Sequence, residues 1–343
     1  MYEIRLCRID EKELLKDFVR QYWSNDHIFL YSDDILDFQH REDSHYNFVV
    51  AYHSESSSFH AVLGFISPLF YSKGHIEPGD DLWLALWKVE KSLAETSSLG
   101  LDLLEFLDIQ YTPRSISAIG IPDDVALLYK LLGFETGTMR HWFILNDINT
   151  TFSIAQVRTP LPTAKRGSEP SGVSIRKIQL DELDKLRQTD AHRNLPKSLP
   201  YLISRYLHHP IYDYEYYAIT DANELLGYYV GRRIKVKSAE CLRITDMRLR
   251  IDPQLSLRGV FQKSLVSENL EYLDLLAFGD MGFNPDSIGF SENDKNNFVP
   301  HLFEPFLPER HEVRLAYRSK TSFVCFKGDS DLDRPSIVCK GDH

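Results

Sequence analysis

Cysteine is scarce in this chain of 343 residues, and the four that occur show no pairwise spacing of the C-x-x-C kind. The small number of cysteines and the lack of C-x-x-C spacing exclude a disulfide framework and a cysteine-based zinc site. The thiols are typical of a reduced, cytoplasmic protein, and we expect that location. The four cysteines are Cys7, Cys241, Cys325 and Cys339.

The sequence also lacks a long apolar run and an excess of basic residues. No stretch reaches the roughly 18 apolar residues of a membrane-spanning helix. The first residues, "MYEIRLCRID", carry charge from the third position, so we expect neither a secretory signal nor membrane insertion. The chain has 39 Lys and Arg against 50 Asp and Glu, a net charge of −11. This balance argues against nucleic acid as a partner.

What is present suffices for two cores, since 43% of the residues are hydrophobic and 12% are aromatic. One segment, "TPLPTAKRGSEPSG", combines three prolines, two glycines and small polar residues without periodicity, which is typical of a linker. We therefore expect a first domain over 1–150, a linker over 151–172 and a second domain over 173–343.

Strand and helix patterns follow one order in both halves. The first half predicts a strand, a helix, three β-rich runs, the helix "SLGLDLLEFLDIQY", the short strand "SISAIGI", the helix "PDDVALLYKLLGF" and a closing strand, "TMRHWFILN". The second half repeats this order loosely and is then patternless between "YLDLLAF" and "TSFVCFKG". The repetition predicts an α+β fold with two similar units, each a mixed, mostly antiparallel sheet flanked by helices.

The first half resembles the GNAT acyltransferase superfamily. "LLYKLLGFETG" is similar to the turn that ends the last helix of such domains, and "LGLDLLEFL" to the helix that follows their acyl-CoA pyrophosphate loop. The resemblance covers Met1 to about Asn146, and Val173 to about Ser291 only in element order. It implies tandem GNAT-like domains, with acetyl-CoA or another acyl-CoA as co-substrate and no metal.

Several short motifs also resemble, in order, tandem GNAT-like proteins found with surface-polysaccharide (O-antigen) biosynthesis enzymes. They are "HIFLYSDDILDFQH", "YLHHPIYDYEYY", "HLFEPF" and "FKGDSDLDRP". The last usually has Gln and Asn where this chain has Leu332 and Ser336. This resemblance implies an amino sugar or a nucleotide-linked amino sugar as acceptor, and contact with other enzymes of that synthesis.

The resemblance places the acyl-CoA at the start of the helix after "ETSSLG", where the N-terminal N–H groups would bind the pyrophosphate. Only Gly100 fits the usual glycine-rich loop, and Glu95 stands where a basic or amide residue is expected. An ordinary capped helix without CoA therefore remains the alternative. The candidate cofactor-binding residues are Val89, Ser97, Ser98, Leu99 and Gly100.

Acyl transfer needs a group that protonates the leaving thiolate and a group that deprotonates the amine. The resemblance assigns the first role to Tyr129, which could equally be a core residue. Carboxylates in or before strands are candidates for the second role, namely Asp80 and Asp81 in "PGDDLW" and Asp246 in "RITDMRL". Asp80 and Asp81 could instead cap a turn, and Asp246 could form a structural ion pair with Arg248.

Further candidates for substrate binding are Arg205, His209, Glu304, Asp329, Asp331 and Arg334. Arg205 and His209 lie in a tyrosine-rich stretch that suits sugar or phosphate binding, or an interface between domains. "DSDLDRP" lacks the Gly and Glu of an EF-hand loop. It predicts either an ordered segment that contacts substrate or a structural latch.

Together these observations predict an acyl-CoA-dependent N-acyltransferase of amino sugars. One alternative is a non-catalytic protein that binds a sugar nucleotide or a partner enzyme on a degenerate GNAT fold. Aminoacyl transfer from charged tRNA is disfavoured by the negative net charge.

Overall fold

The computed structural model describes residues 1–94, 97–159, 170, 172–183, 197–222, 224–250, 255–301 and 306–334. Its strands form a seven-stranded sheet, an eight-stranded sheet and a two-stranded ladder. Helices flank both large sheets, so the predicted α+β class is confirmed.

The first half contributes seven strands and five α-helices. The strands are β1 Tyr2–Arg8, β2 His45–His53, β3 Ser58–Ile66, β4 Asp81–Val89, β5 Ser115–Ile119, β6 Glu135–Thr138 and β7 Arg140–Leu145. The helices are α1 Lys12–Tyr22, α2 Asp33–His40, α3 Pro68–Lys73, α4 Leu99–Tyr111 and α5 Ala126–Leu131.

The second half contributes the remaining elements. Its strands are β8 Gln156–Val157, β9 Val173–Ile178, β10 Tyr214–Asp221, β11 Glu224–Val236, β12 Ala239–Leu249, β13 Tyr272–Gly279, β14 Ser291–Glu292, β15 Asn297–Phe298, β16 Arg314–Ser319 and β17 Val324–Phe326. Its helices are α6 Leu199–Leu202, which continues as a π-helical turn over Ile203–Leu207, α7 Arg258–Ser267 and α8 Pro285–Ile288.

Local sequence explains how several helices begin and end. The Ser32 hydroxyl accepts the N–H of Ile35 at the start of α2, and the Ser67 hydroxyl accepts that of Leu69 at the start of α3. Pro68 occupies the first position of α3, where no intrahelical N–H bond is lost. Gly133 follows α5 at φ +80°, the left-handed conformation in which a glycine commonly ends a helix.

The two halves exchange one strand each. β16, from the second half, inserts between β5 and β6, with Leu315 opposite both Ile119 and Gly137. β7, from the first half, inserts between β13 and β14 of the other sheet. The strand predicted over "TMRHWFILN" is thus confirmed, but it belongs to the second sheet and not to the first.

The prediction that the chain is patternless between "YLDLLAF" and "TSFVCFKG" was wrong, because β14, β15 and β16 lie there. Two of these strands have only two residues each, too few to show alternation.

The cores also join the halves. One cluster of buried side chains extends from Leu103 of α4 to Tyr201 of α6, and another joins Ile119 of β5 to Leu276 of β13 and Cys325 of β17. Separate clusters lie under α1 and α2, and under α7. The division at the linker remains a prediction, since sheets and cores both cross it.

Candidate functional site

The first sheet opens between β4 and β5. These parallel strands pair only from Asp81 to Leu84 on β4, whereas the pairing of β4 with β3 continues to Val89. Between Leu84 and Trp87, two residues of β4 lie opposite one residue of β3, Gly64, and this bulge bends the strand at the point of separation. Beyond it, one edge of β4 has no strand partner among the described residues and can hydrogen-bond a ligand.

Side chains from three elements meet beside this gap. A Cβ at Gly100 would lie 3.2 Å from Cγ2 of Val89 and 3.5 Å from Nε1 of Trp87, so the first turn of α4 contacts the end of β4. The ring centroids of Trp87 and Tyr129 are 5.7 Å apart. The structure therefore brings together three of the candidate residues, Val89, Gly100 and Tyr129. Trp87 was missed, although its place in "LALWKV" shows an aromatic residue near the strand end.

The start of α4 carries two serines whose hydroxyls bond locally. Ser97 donates to the carbonyl of Leu93, and Ser98 donates to Asp102. The N–H groups of a first helical turn have no intrahelical acceptor and carry positive charge, which suits an anion. The side chain of Leu99 is buried in the core. Glu95 lies outside the described residues.

Tyr129 is 5% exposed, and its ring also packs against Phe134 at a centroid distance of 5.2 Å. Burial raises the pKa of Tyr129 above its ordinary value, so its hydroxyl stays protonated at neutral pH. Tyr129 can therefore serve as a proton donor, although its ring belongs to the core, as the alternative interpretation expected.

Asp81 lies at the opposite end of β4. Its carboxylate accepts from Nε of Arg114 at 3.0 Å and from the Ser115 hydroxyl at 2.7 Å. Trp87 is six positions farther along the strand, about 20 Å at the usual rise per residue. The structure does not bring Asp81 to the gap.

The equivalent gap of the second sheet is filled by the chain itself. β12 and β13 pair in parallel from Cys241 to Ile244 on β12. Farther along, β17 pairs with β13, and the N–H of Gly328 donates to the carbonyl of Thr245 on β12 at 2.8 Å. "TSFVCFKG" thus takes the place that is open in the first sheet.

The segment after β17 is held by buried ion pairs. Nζ of Lys197 lies 2.6 Å from Oδ1 of Asp329 and 2.8 Å from Oδ2 of Asp246. Burial raises the pKa of Asp329, which also accepts the N–H of Phe326. The prediction that Asp246 pairs with Arg248 was wrong, because its carboxylate pairs with Lys197. No motif marked Lys197, because it lies far from both aspartates in sequence.

Arg205 is fully buried on the π-helical turn, and its Nη2 donates to the carbonyl of Gly328 at 3.1 Å. Its guanidinium lies 5.3 Å from the centroid of the Tyr71 ring on α3. His209 accepts the N–H of Tyr212 through Nδ1, and its ring lies 5.0 Å from that of Phe38 on α2. Both residues therefore lie at the junction of the two halves.

Arg334 also reaches the first half. It pairs with Asp331 at 3.0 Å, and its guanidinium lies 4.7 Å from the centroid of the Phe29 ring. Burial, and then Arg334 nearby, lower the pKa of His27 to about 3. Residues 327–334 thus join both units, an arrangement that favours the latch. Glu304 lies outside the described residues.

Within the described ranges, no cluster of three or more His, Cys, Asp or Glu side chains suits a metal ion. No helix there is both long and apolar enough to cross a membrane.

Comparison with known proteins establishes the fold alone. A GCN5-related N-acetyltransferase from Anabaena variabilis superposes with a TM-score of 0.55 at 13% identity, covering 93% of this chain and 72% of that one. A conserved Enterococcus faecalis protein, described as a probable N-acyltransferase, gives 0.54 at 8% identity with the same coverages. A GCN5-related N-acetyltransferase from Kribbella flavida gives 0.51 at 13%, covering 93% and 71%.

No protein-family model matches the chain, and no curated protein matches it. The tandem GNAT-like fold is thus shown by structure, while activity and substrate are matters for experiment.

Proposed function

We propose that the protein is an acyl-CoA-dependent N-acyltransferase whose donor site is the gap between β4 and β5. The observation that carries this proposal is the contrast between the two sheets: the first gap is walled by Trp87, Val89, Gly100 and Tyr129, whereas β17 fills the second. One donor site therefore serves both halves.

In this proposal the acyl-CoA pyrophosphate binds at the start of α4, beside Ser97, Ser98, Leu99 and Gly100. The pantetheine amides would hydrogen-bond the unpaired edge of β4 that ends at Val89. The acceptor nitrogen attacks the thioester carbonyl, the C–S bond breaks, and Tyr129 donates its proton to the departing thiolate.

The proton on the attacking amine needs a different acceptor. The positions of Asp81 and Asp246 do not support this role, because Asp81 pairs with Arg114 away from the gap and Asp246 shares Lys197 in the second half. The proposal therefore assigns no catalytic base.

For the acceptor we propose an amino sugar, free or nucleotide-linked, in surface-polysaccharide synthesis. Support for this class comes from the motifs quoted above. Among the substrate-binding candidates, His209 is buried and its Nε2 has no hydrogen-bond partner among the described residues. The partners of Arg205, Asp329, Asp331 and Arg334 lie within the chain, so these residues would shape the cleft between the halves.

The test is a calorimetric titration with acetyl-CoA and CoA. Ser98 is exposed at the start of α4, so Ser98→Glu adds a carboxylate where the pyrophosphate would bind, and Ser98→Gln adds the same bulk without charge. We expect wild type and Ser98→Gln to bind alike and Ser98→Glu to bind at least about tenfold more weakly. Equal binding by all three, or no binding at millimolar ligand, would refute the donor site.

The alternative, a non-catalytic binding protein, is favoured by the missing base. An assay of free thiol release from acetyl-CoA in the presence of amino-sugar nucleotides separates the two. Acyl-CoA binding without thiol release for any amine would support the alternative.

A further inference from the structure

A row of charged side chains crosses the second sheet on the face opposite α7. Arg232 of β11 lies opposite Arg243 of β12, which lies opposite Asp274 of β13. Their neighbours Leu242 and Leu273 pack in the cluster under α7, so by strand alternation these three side chains point to the other face. All three are buried. The row lies inside the protein, away from bulk water.

Each arginine of the row has a carboxylate partner. Nη2 of Arg243 lies 2.9 Å from Oδ2 of Asp274. Nη2 of Arg232 lies 2.9 Å from Oδ1 of Asp333, which also accepts from the Tyr214 hydroxyl at 2.7 Å. Within each pair the positive charge of the arginine is balanced by the negative charge of its aspartate, and removing either partner would leave a buried charge uncompensated.

Two buried histidines beside the row add no charge. Nε2 of His141 lies 2.9 Å from Oδ2 of Asp274, and Nε2 of His301 lies 2.9 Å from the carbonyl of His311. Burial is the largest influence on both and lowers the pKa of each, that of His301 to about 2. Both rings are neutral at physiological pH.

Lys327 adds a third cation, which has no counter-ion in the described part of the chain. It is 5% exposed, and its amine makes no hydrogen bond or ion pair with any residue that the structure describes. Burial, and then the charges of Arg243 and Arg232, lower the pKa of Lys327 to about 8 against the opposing effect of Asp333 and Asp274. Counted over the described residues, the set thus has three cations and two carboxylates.

Lys197, another buried lysine near the row, shows that a lysine with a structural role has carboxylate partners. Lys197 is 6% exposed, and its amine contacts both Asp246 and Asp329. An unpaired buried ammonium destabilises a fold, and methionine would fill similar space without that cost. Packing alone therefore does not account for lysine at position 327.

The backbone holds Lys327 in a fixed place. Its N–H donates to the carbonyl of Leu276 on β13 at 2.9 Å, and the following N–H, of Gly328, bonds β12. Cys325, two residues earlier, belongs to the same buried cluster as Ile119 at the end of β5. Alternation places Lys327 on that same side of the second sheet, which is turned toward the first unit.

We propose that Lys327, supported by Arg232 and Arg243, binds the anionic oxygen group of a ligand, a phosphate or a carboxylate, that enters between the two halves. The anion accepts the hydrogen bonds that the amine otherwise lacks and neutralises the extra positive charge. That this ligand is the acyl acceptor rests on the proposed function. A nucleotide-linked sugar carries such a group.

The test uses the full chain and bare anions. Thermal unfolding is measured in inorganic phosphate and, separately, in acetate, with sodium chloride keeping the ionic strength constant. Lys327→Met removes the amine and keeps the bulk, Lys327→Gln is the second variant, and Lys320→Met, at an exposed site, is the matched control. Calorimetric titration with acetyl-CoA is run on the same proteins.

We expect phosphate or acetate to raise the midpoint temperature of thermal unfolding for wild type and Lys320→Met. The anion with the larger effect identifies whether the ligand's group is a phosphate or a carboxylate. Without anion, the Lys327 variants should melt at or above the wild-type temperature and gain nothing from either salt. An equal gain in the Lys327 variants, or no gain in wild type, overturns the anion site. Acetyl-CoA binding that persists in Lys327→Met leaves the donor site standing whatever the anions do. Anion binding without acetyl-CoA binding retains this site and rejects the donor site.

Discussion

Asp80 offers a pH-dependent test of the structure. This residue precedes β4, is 8% exposed, and accepts the N–H of Leu69 at 3.3 Å. Burial raises its pKa to about 7, the charge of Asp81 adds to the increase, and backbone N–H groups oppose it. In the unfolded chain an aspartate has a pKa of about 3.9.

The sign follows from proton binding. Below about pH 4 the carboxyl is protonated in both states and has no pH-dependent effect. Between about pH 4 and 7 the folded protein holds a proton that the unfolded chain has released, so the free energy of unfolding falls as pH rises. Above about pH 7 the carboxyl is ionised in both states, and the free energy of unfolding has fallen by the full amount. A difference of about 3 in pKa, at about 1.4 kcal/mol each, gives at most about 4 kcal/mol.

We therefore expect Asp80→Asn, which keeps the acceptor for Leu69, to stabilise the protein by about 1–4 kcal/mol at pH 8 and to make no difference near pH 4. Denaturant midpoints and slopes for both proteins at half-unit pH intervals measure this. Asp81→Asn is the control, because it breaks the pair with Arg114 and should destabilise by at most about 1 kcal/mol. A variant that is less stable at pH 8, or a difference independent of pH, would refute the reasoning.

Two further predictions concern the exchanged strands and the closing segment. If the chain is cut within 160–169, each half lacks one strand of its sheet, so we expect each half alone to aggregate and the coexpressed halves to copurify; a monomeric first half with a cooperative unfolding transition would contradict this. Gly328→Ala should lower the denaturant midpoint, because a Cβ there would lie 2.3 Å from the Tyr206 hydroxyl and 2.6 Å from the carbonyl oxygen of Thr245. Gly133→Ala, at a positive φ with no atom within 4 Å, is the matched control and should cost less, about 1 kcal/mol.

Element order could be predicted from sequence because each segment's periodicity reflects its own burial. The short apolar run in "TMRHWFILN" correctly predicted a strand, but the partner of that strand is set by contacts with β13, far along the chain. The same limit hid β16, whose Leu315 and Ala316 are buried by β5 and β6 of the other half.

The candidate site was only partly predictable for a related reason. Gly100 and Tyr129 could be placed by motif, and they do lie beside the gap with Trp87. Lys327 was not predicted from "FKGDSDLDRP", because a lysine beside three aspartates looks like part of an ordinary charged segment. That a buried lysine has no partner among the described residues becomes visible only from the structure. Lys197 lacked any local signal, since its two carboxylate partners come from distant strands.

The exchange of β7 and β16 also sets the order in which the molecule can form during synthesis. β6 ends at Thr138, and the strand that must enter between it and β5 begins about 175 residues later, at Arg314. At a translation rate of roughly 5–20 residues per second, the first sheet waits about 10–35 s with two strand edges unpaired. The first unit is not complete when its own half leaves the ribosome, whereas the second sheet finds β7 already made. The first sheet therefore closes only in the last moments of synthesis or after it. A cell making this protein must therefore protect the open edges of β5 and β6 over that interval.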